Sequence, residues 1–248
     1  MRNRIRFSGL VGLIYAASCQ SGLSQVAIDV GHYKDRPGAI SARGVPEFEF
    51  NASLAMIISD VLTQNGLRNS LIGNSGVPIS LEQRTQRARE QESRFFLSIH
   101  HDSVQPQYLS SWLLGGKEHL YSDQFSGYSL FVSRSNPRYA ESLACATELG
   151  LALKREGFNP TSHHAEPIEG ERREWANQEA GVYINDKLVV LKTSDVPAVL
   201  LEAGVIVNRA EELQLRTPSI QKKIASAISA GLSRCSYAWT RTGEHEKP

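Results

Sequence analysis

The chain has 248 residues, of which 41% are hydrophobic and 21% charged, and this composition fits a soluble globular protein. A formal net charge of +1 supplies no overall field to attract nucleic acid, so we expect no nucleic-acid partner. The sequence has no long run of like charges, no low-complexity tract and no internal repeat, which excludes disordered and solenoid architectures.

The first residues have the pattern of a secretory signal. Basic "MRNRIR" precedes the apolar stretch "FSGLVGLIYAAS", which is too short for a membrane span. We therefore predict a signal peptide at 1–18, a linker at 19–24, a folded domain at 25–239 and a flexible tail at 240–248. The mature chain would be exported to the periplasm without a transmembrane span. Cys19 follows small residues as in a lipobox, so a lipid anchor at Cys19 is the alternative to simple cleavage.

The predicted elements of the folded domain alternate between buried strands and helices. In chain order they are the strand "QVAIDV", the helix "FEFNASLAMIISDVLTQNG", the strand "LRNSLIG", the helix "SLEQRTQRAREQES", the strand "RFFLSIH", a hairpin-like pair "GKEHLYSD" and "GYSLFVS", and the helix "NPRYAESLACATELGLALKREG". A polar region with a short helix in "EGERREWANQEA", two strand-like runs in "KLVVLKTSDVPAVLLEAGVIVN" and the helix "TPSIQKKIASAISAGLSRCSYAW" follow. This order predicts an α/β fold in a single domain, with a twisted, mostly parallel sheet flanked by helices.

Two cysteines lie in apolar helical contexts, Cys145 and Cys235. An oxidising compartment would permit a disulfide between them. Because sequence spacing cannot place the two side chains together, the pattern favours two buried free thiols.

Three apolar strands end in reactive side chains, at His32, His100 and Glu202. Ligands of open α/β sheets bind beyond the carboxyl ends of the strands, so we expect these groups to converge at one edge. Two imidazoles and a carboxylate favour a zinc site, and catalytic zinc commonly has three protein ligands. The sequence leaves four candidates for the third ligand: Glu47, Glu49, Asp102 and Glu202.

Helical geometry separates two of these candidates. With about 100° per residue, Glu47 projects onto the apolar face of its helix, whereas Glu49 projects almost opposite to it. We expect Glu47 to point toward the sheet and Glu49 toward solvent. The alternative for Glu47 is a first-turn carboxylate that only complements the helix dipole.

Four motifs together resemble the zinc-dependent N-acetylmuramoyl-L-alanine amidases of bacterial cell walls. They are "IDVGHY", "GVPEFEFN", "FLSIHHDS" and "PAVLLEAGVIVN", which occur in that family's order across nearly the whole domain. The first motif departs from the family pattern, because Tyr33 and Lys34 stand where glycines usually follow the histidine.

The resemblance implies zinc ligands at His32, Glu47 and His100, and a general base at Glu202. It implies peptidoglycan as the substrate, cut between N-acetylmuramic acid and L-alanine, and it permits an activator protein as a partner. A zinc peptidase that acts on a peptide stem or another amide, and a wall-binding protein without catalysis, remain the alternatives.

Other polar residues near these motifs have open roles. Adjacent strand residues face opposite ways, so we expect His101 to support a ligand or pack in the core, with Asp102 orienting a ligand imidazole. His163 and His164 open an acidic and basic segment within 158–181. This segment is either a movable lid or a solvated surface insertion, and we favour the insertion.

Overall fold

The computed structural model describes residues 25–240, with side chains described as far as Ser236. The predicted signal peptide, the linker, Cys19 and the tail from residue 241 lie outside the described residues. The helices are α1 Glu47–Gln64, α2 Leu81–Glu90, α3 Tyr139–Arg155, α4 Val189–Lys192, α5 Glu211–Leu215 and α6 Pro218–Thr240. The strands are β1 Val26–Val30, β2 Asn69–Ile72, β3 Phe95–Asp102, β4 Ser110–Leu114, β5 Lys117–Tyr121, β6 Ser129–Val132, β7 Trp175–Asn177, β8 Val182–Ile184 and β9 Ala198–Val205. Among these helices, none is both long enough and apolar enough to cross a membrane.

The central sheet has the strand order β2-β1-β3-β9-β6-β8-β7. Strands β2, β1, β3 and β9 run parallel to one another, whereas β6 runs antiparallel to β9 and β7 antiparallel to β8. The predicted single α/β domain with a mostly parallel sheet is therefore confirmed. This order places the carboxyl ends of β1, β3 and β9 side by side at one edge.

Helices cover both faces of the sheet because successive strand residues point to opposite sides. On one face, alternate strand residues such as Ile28 of β1 and Leu97 of β3 pack under α1, α3 and α6. On the other face, Ala27 and Phe96 pack with residues of α2 and α4, including Ala88 and Leu191. Burial on both faces explains why these strands read as continuous apolar runs.

Three predictions of secondary structure were wrong. The segment "GKEHLYSD" forms β5 of a separate hairpin with β4, and β6 joins the main sheet instead. The predicted helix in "EGERREWANQEA" is instead irregular chain that contains the short strand β7, while the first strand-like run after it forms the short helix α4. In these segments tertiary packing overrides weak local propensity.

The expectation of two free thiols was also wrong, because Cys145 and Cys235 form a disulfide between α3 and α6. The two Cα atoms lie 5.1 Å apart, although the residues are 90 positions apart in the chain. Both cysteines are fully buried in the core between these helices. Only the packing of α3 against α6 brings them together.

Candidate active site

His32 is separated from the end of β1 by Gly31 and has a left-handed backbone conformation, with φ at 66°. Arg84 of α2 holds this turn, because its guanidinium donates hydrogen bonds to the carbonyl oxygens of Val30 and His32. Arg84 is itself buried and pairs with the Asp29 carboxylate at 2.6 Å. The role of Arg84 could not be predicted from the sequence, since nothing in a polar helix marks one arginine as buried.

Gly31 lets the turn after β1 pass close to the side chain of His100. A methyl group at this position would lie 2.3 Å from the imidazole of His100, a distance that real side chains do not reach. Gly38, with φ at 81°, is constrained in the same way by the Glu47 carboxylate. The loop after β1 therefore needs glycine where it closes over the other candidate ligands.

Glu47 is the first residue of α1 and is buried, whereas Glu49 is exposed, as the helical geometry predicted. Its Oε2 lies 3.0 Å from His32 Nε2, and its Oε1 lies 3.0 Å from His100 Nδ1. Burial alone would raise the pKa of Glu47, but the hydrogen bonds to His100 and His32 outweigh it and hold the pKa well below its usual range. The carboxylate is thus ionised between two imidazoles.

His100, near the end of β3, completes a group of three side chains. The candidate ligand atoms of His32, Glu47 and His100 all lie within 4.8 Å of one another. Two imidazole nitrogens and one carboxylate oxygen are a donor set that suits zinc. The structure therefore brings together the three predicted ligands, and their chemistry fits the predicted metal.

Glu202 lies beside this group, since the β3–β9 register pairs it with His100. Its Oε2 is buried and has no hydrogen-bond partner among the described residues. Burial raises the pKa of Glu202 well above its usual range, and the negative charges of Asp102 and Glu47 raise it further. Glu202 thus has an unpaired carboxyl oxygen, but it does not end its strand as the sequence predicted, because β9 continues to Val205.

His101 points away from the three candidate ligands, as expected from strand alternation. It is buried, and its Nδ1 lies 2.8 Å from Asn51 Oδ1. Asn51 in turn donates from Nδ2 to Glu47 Oε1 at 3.0 Å. Burial lowers the pKa of His101 to about 4, so the ring is neutral and donates to the amide oxygen. His101 therefore supports Glu47 through Asn51.

Asp102 does not orient a ligand imidazole, and that expectation was wrong. Its Oδ2 lies 2.7 Å from His164 Nε2 and 3.3 Å from His163 Nε2. Burial alone would lower the pKa of His164, but Asp102 and Glu171 more than reverse this effect and raise the pKa to about 9. His163, His164 and Glu171 are all buried, so this part of 158–181 is not a solvated insertion. The position of Asp102 at the end of a strand indicates that its carboxylate could bind another group, but the sequence does not show that His163 and His164 are its partners.

An open groove of ≈ 660 Å³ runs past the candidate ligands between the loop after β1 and helices α2 and α4. His32 and His100 lie on its wall, together with Tyr33 and Arg36. Tyr33 is one of the residues that replace glycine in the first motif. The side chains at the rim of the groove are therefore larger and more polar than the motif pattern predicts. Its size suits a substrate larger than a single amino acid.

A profile of the N-acetylmuramoyl-L-alanine amidase family matches residues 26–234, which span the sheet, its helices and the group of candidate ligands. The chain belongs to this family. The predicted resemblance to this family is confirmed.

Individual relatives agree with this assignment. The probable N-acetylmuramoyl-L-alanine amidase AmiB of Haemophilus influenzae is 26% identical over 227 residues, which cover 84% of this chain and 51% of that protein. The chain thus spans about half the length of that relative. A putative N-acetylmuramoyl-L-alanine amidase of Buchnera aphidicola from Acyrthosiphon pisum is 26% identical over 84% of this chain and 92% of its own length.

The fold itself also has solved counterparts. The N-acetylmuramyl-L-alanine amidase Ami1 of Mycobacterium smegmatis superposes with a TM-score of 0.67, at 19% identity, over 85% of this chain and 95% of its own. At this identity the likeness concerns the architecture of the sheet and helices.

Proposed function

We propose that this amidase hydrolyses the amide bond between the lactyl group of N-acetylmuramic acid and L-alanine in peptidoglycan, with zinc as its cofactor. His32, Glu47 and His100 would hold the zinc ion, and Glu202 would be the general base. The observation that carries the proposal is the convergence of these side chains at one sheet edge, within 4.8 Å for the three ligands and in register for Glu202. Membership of the amidase family supports the choice of the amide bond as the one that is cut.

A zinc ion held there would polarise the scissile carbonyl and lower the pKa of the attacking water. The protein residues supply the other functions. In its ionised form, which the positive charge of a bound zinc ion would favour, Glu202 can accept the proton of the attacking water through its unpaired carboxyl oxygen and pass it to the leaving amine. Asn51 and the backbone N–H of Ala39 each donate to Glu47, which fixes the carboxylate that both imidazoles face.

The groove beside the ligands would bind the substrate around the scissile bond. Tyr33 and Arg36 at its wall offer a hydroxyl and a positive charge to a peptide stem that carries carboxylates. The activator protein stays a prediction.

Export to the periplasm is part of the proposal. The disulfide between Cys145 and Cys235 supports it, because such bonds persist in oxidising compartments. The signal peptide and a lipid anchor at Cys19 stay predictions.

Digestion of purified peptidoglycan tests the reaction and the roles together. We expect the purified protein to release intact stems with an L-alanine N-terminus, detected by mass spectrometry, and a chelator to stop the release. Glu202→Gln should keep its zinc but lose activity by about 10²–10⁴-fold, the usual contribution of a general base. His32→Ala should lose zinc affinity.

Other outcomes would contradict separate parts of the proposal. Stems cut between amino acids would indicate a peptidase, and chelator-sensitive zinc binding without any release would indicate a wall-binding protein. Full activity of Glu202→Gln would exclude this residue as the base.

A further inference from the structure

A second group of side chains lies outside the proposed zinc site. The candidate ligand atoms of Asp102, His163 and His164 lie within 4.8 Å of one another. His163 and His164 belong to a short 3₁₀ turn, and Asp102 ends β3. The proposed amidase mechanism assigns no role to this cluster.

Both imidazoles are oriented by partners on their outer nitrogens. Thr161 Oγ1 lies 2.8 Å from His163 Nδ1, and Glu171 Oε2 lies 2.9 Å from His164 Nδ1. These contacts fix each ring so that its Nε2 faces the same oxygen, Asp102 Oδ2. Metal-binding histidines have this arrangement, in which one nitrogen binds the ion and the other is held by a carboxylate or another oxygen. Gln105 donates to the Glu171 carboxylate at 2.8 Å, so the carboxylate is held in turn.

Hydrogen bonding within the protein leaves one of these groups unsatisfied. His163 is 1% exposed, and its Nε2 has no hydrogen-bond partner in the part of the chain that the structure describes. The 3.3 Å separation from Asp102 Oδ2 lacks the angle of a hydrogen bond. A protonated His164 would satisfy Asp102 but would still leave His163 Nε2 buried and unpaired. A buried nitrogen without a partner destabilises the folded protein, and a cation between the three groups would supply that partner.

The residues around Asp102, His163 and His164 are apolar on one side and open to solvent on the other, which suits an ion with three protein ligands and a solvent ligand. The rings of Phe125 and Phe131 contact His163 and His164, with centroids 5.2 Å and 4.9 Å apart, so apolar walls enclose the imidazoles. The Asp102 side chain is 13% exposed, which leaves an approach from solvent on the carboxylate side. An ion could therefore enter there and keep a solvent ligand.

We propose that Asp102, His163 and His164 form a second metal site, which binds a divalent first-row transition-metal ion through Asp102 Oδ2 and the two Nε2 atoms. Two imidazoles and a carboxylate suit zinc among such ions, so Zn²⁺ is the appropriate probe. The bound ion would fasten the segment around residues 161–171 to the end of β3. It would do so independently of the proposed catalytic zinc.

Zinc stoichiometry tests this site. The purified protein is stripped with a chelator and titrated with Zn²⁺ against a chromophoric competitor. We expect two equivalents in the wild type, one in His163→Ala/His164→Ala and one in His32→Ala/His100→Ala. The variant with all four substitutions should bind none. His119→Ala, which removes a histidine of the β4–β5 hairpin outside both groups, should still bind two.

The outcomes separate this proposal from the proposed function. One equivalent in the wild type that is lost in His32→Ala/His100→Ala would overturn the second site and leave the first intact. One equivalent that is lost only in His163→Ala/His164→Ala would support the second site and overturn the first ligand set.

A second measurement does not need the His163 and His164 variant to fold. In His32→Ala/His100→Ala, the second cluster is unchanged, so saturating Zn²⁺ should raise the thermal midpoint by preferential binding to the folded state. An unchanged midpoint in this variant would overturn the second site.

Discussion

Asn51 links His101 to the Glu47 carboxylate, because it accepts a hydrogen bond from His101 Nδ1 at 2.8 Å and donates to Glu47 Oε1 at 3.0 Å. The amide also donates to the carbonyl oxygen of Gly31, next to His32. The buried Asn51 side chain is thus hydrogen-bonded to Glu47 itself and to the residues next to His32 and His100 in the chain. The two adjacent histidines at the end of β3 have different surroundings, since only His100 faces the other proposed ligands.

Asn51→Ala should weaken zinc binding about 10–100-fold, as is usual when a group that orients a metal ligand is removed. It also leaves His101 without its partner, so the free energy of unfolding should fall by about 1–3 kcal/mol. Competitive zinc titration and urea unfolding measure the two effects separately. Gln64→Ala removes an exposed amide from the last residue of the same helix and should change neither. Unchanged zinc affinity in Asn51→Ala would refute the orienting role.

Arg84→Met should destabilise the protein by about 3–5 kcal/mol, because it leaves the Asp29 carboxylate buried without its cation. The double variant with Asp29→Asn should recover part of this loss, since the uncompensated charge is then removed. Arg87→Met, at an exposed position of the same helix, should stay within about 0.5 kcal/mol of the wild type. Chemical unfolding of the four proteins provides the comparison, and equal losses in the two single variants would contradict the argument.

Removal of the disulfide in Cys145→Ala/Cys235→Ala should lower the free energy of unfolding by about 2–5 kcal/mol, because the bond closes a loop over a sequence separation of 90 residues. Unfolding in urea measures this loss without reductant. A reductant should lower the wild-type midpoint and leave that of the variant unchanged. Equal midpoints for oxidised and reduced wild type would show that the cross-link contributes nothing.

Glu211 should make the stability of the fold depend on pH. Burial raises its pKa to about 7, against the lowering effect of hydrogen bonds from the backbone of Val205 and Gly127. Between the unfolded pKa near 4.5 and about 7, the folded state keeps a proton that the unfolded state releases. Stability from this group is therefore greatest below about pH 4.5 and falls as the pH rises to about 7, by at most about 3 kcal/mol.

Glu211→Gln removes the titrating group and should flatten this part of the pH profile relative to the wild type. Thermal melting between pH 4.5 and 8 provides the measurement. Glu49→Gln, which changes an exposed carboxylate, should retain the wild-type slope. An identical slope in Glu211→Gln and the wild type would contradict the assignment.

Much of the proposed zinc site follows from local patterns in the sequence. Apolar runs that end in His32, His100 and Glu202 predict strands with reactive ends, and helical phase separates buried Glu47 from exposed Glu49. Both patterns express a short-range physical rule, because strand alternation and the helical turn fix where neighbouring side chains point. The parallel order of β1, β3 and β9 then brings those ends together.

The partners of buried polar groups could not be predicted in this way. The contacts of Arg84 with Asp29, of Cys145 with Cys235 and of Asp102 with His164 join residues that are 55, 90 and 62 positions apart. Local propensity contains no information on such pairs.

The sequence by itself determined the fold class, the family motifs and the directions in which Glu47 and His100 point, because these depend on periodicity over a few residues. Only the tertiary structure decided that the cysteines form a disulfide and that Asp102 faces His163 and His164 rather than the zinc ligands. The physical reason is that a buried polar group needs a hydrogen-bond partner, and the packing of helices and loops decides which partner is near enough. That choice is made by the whole fold at once.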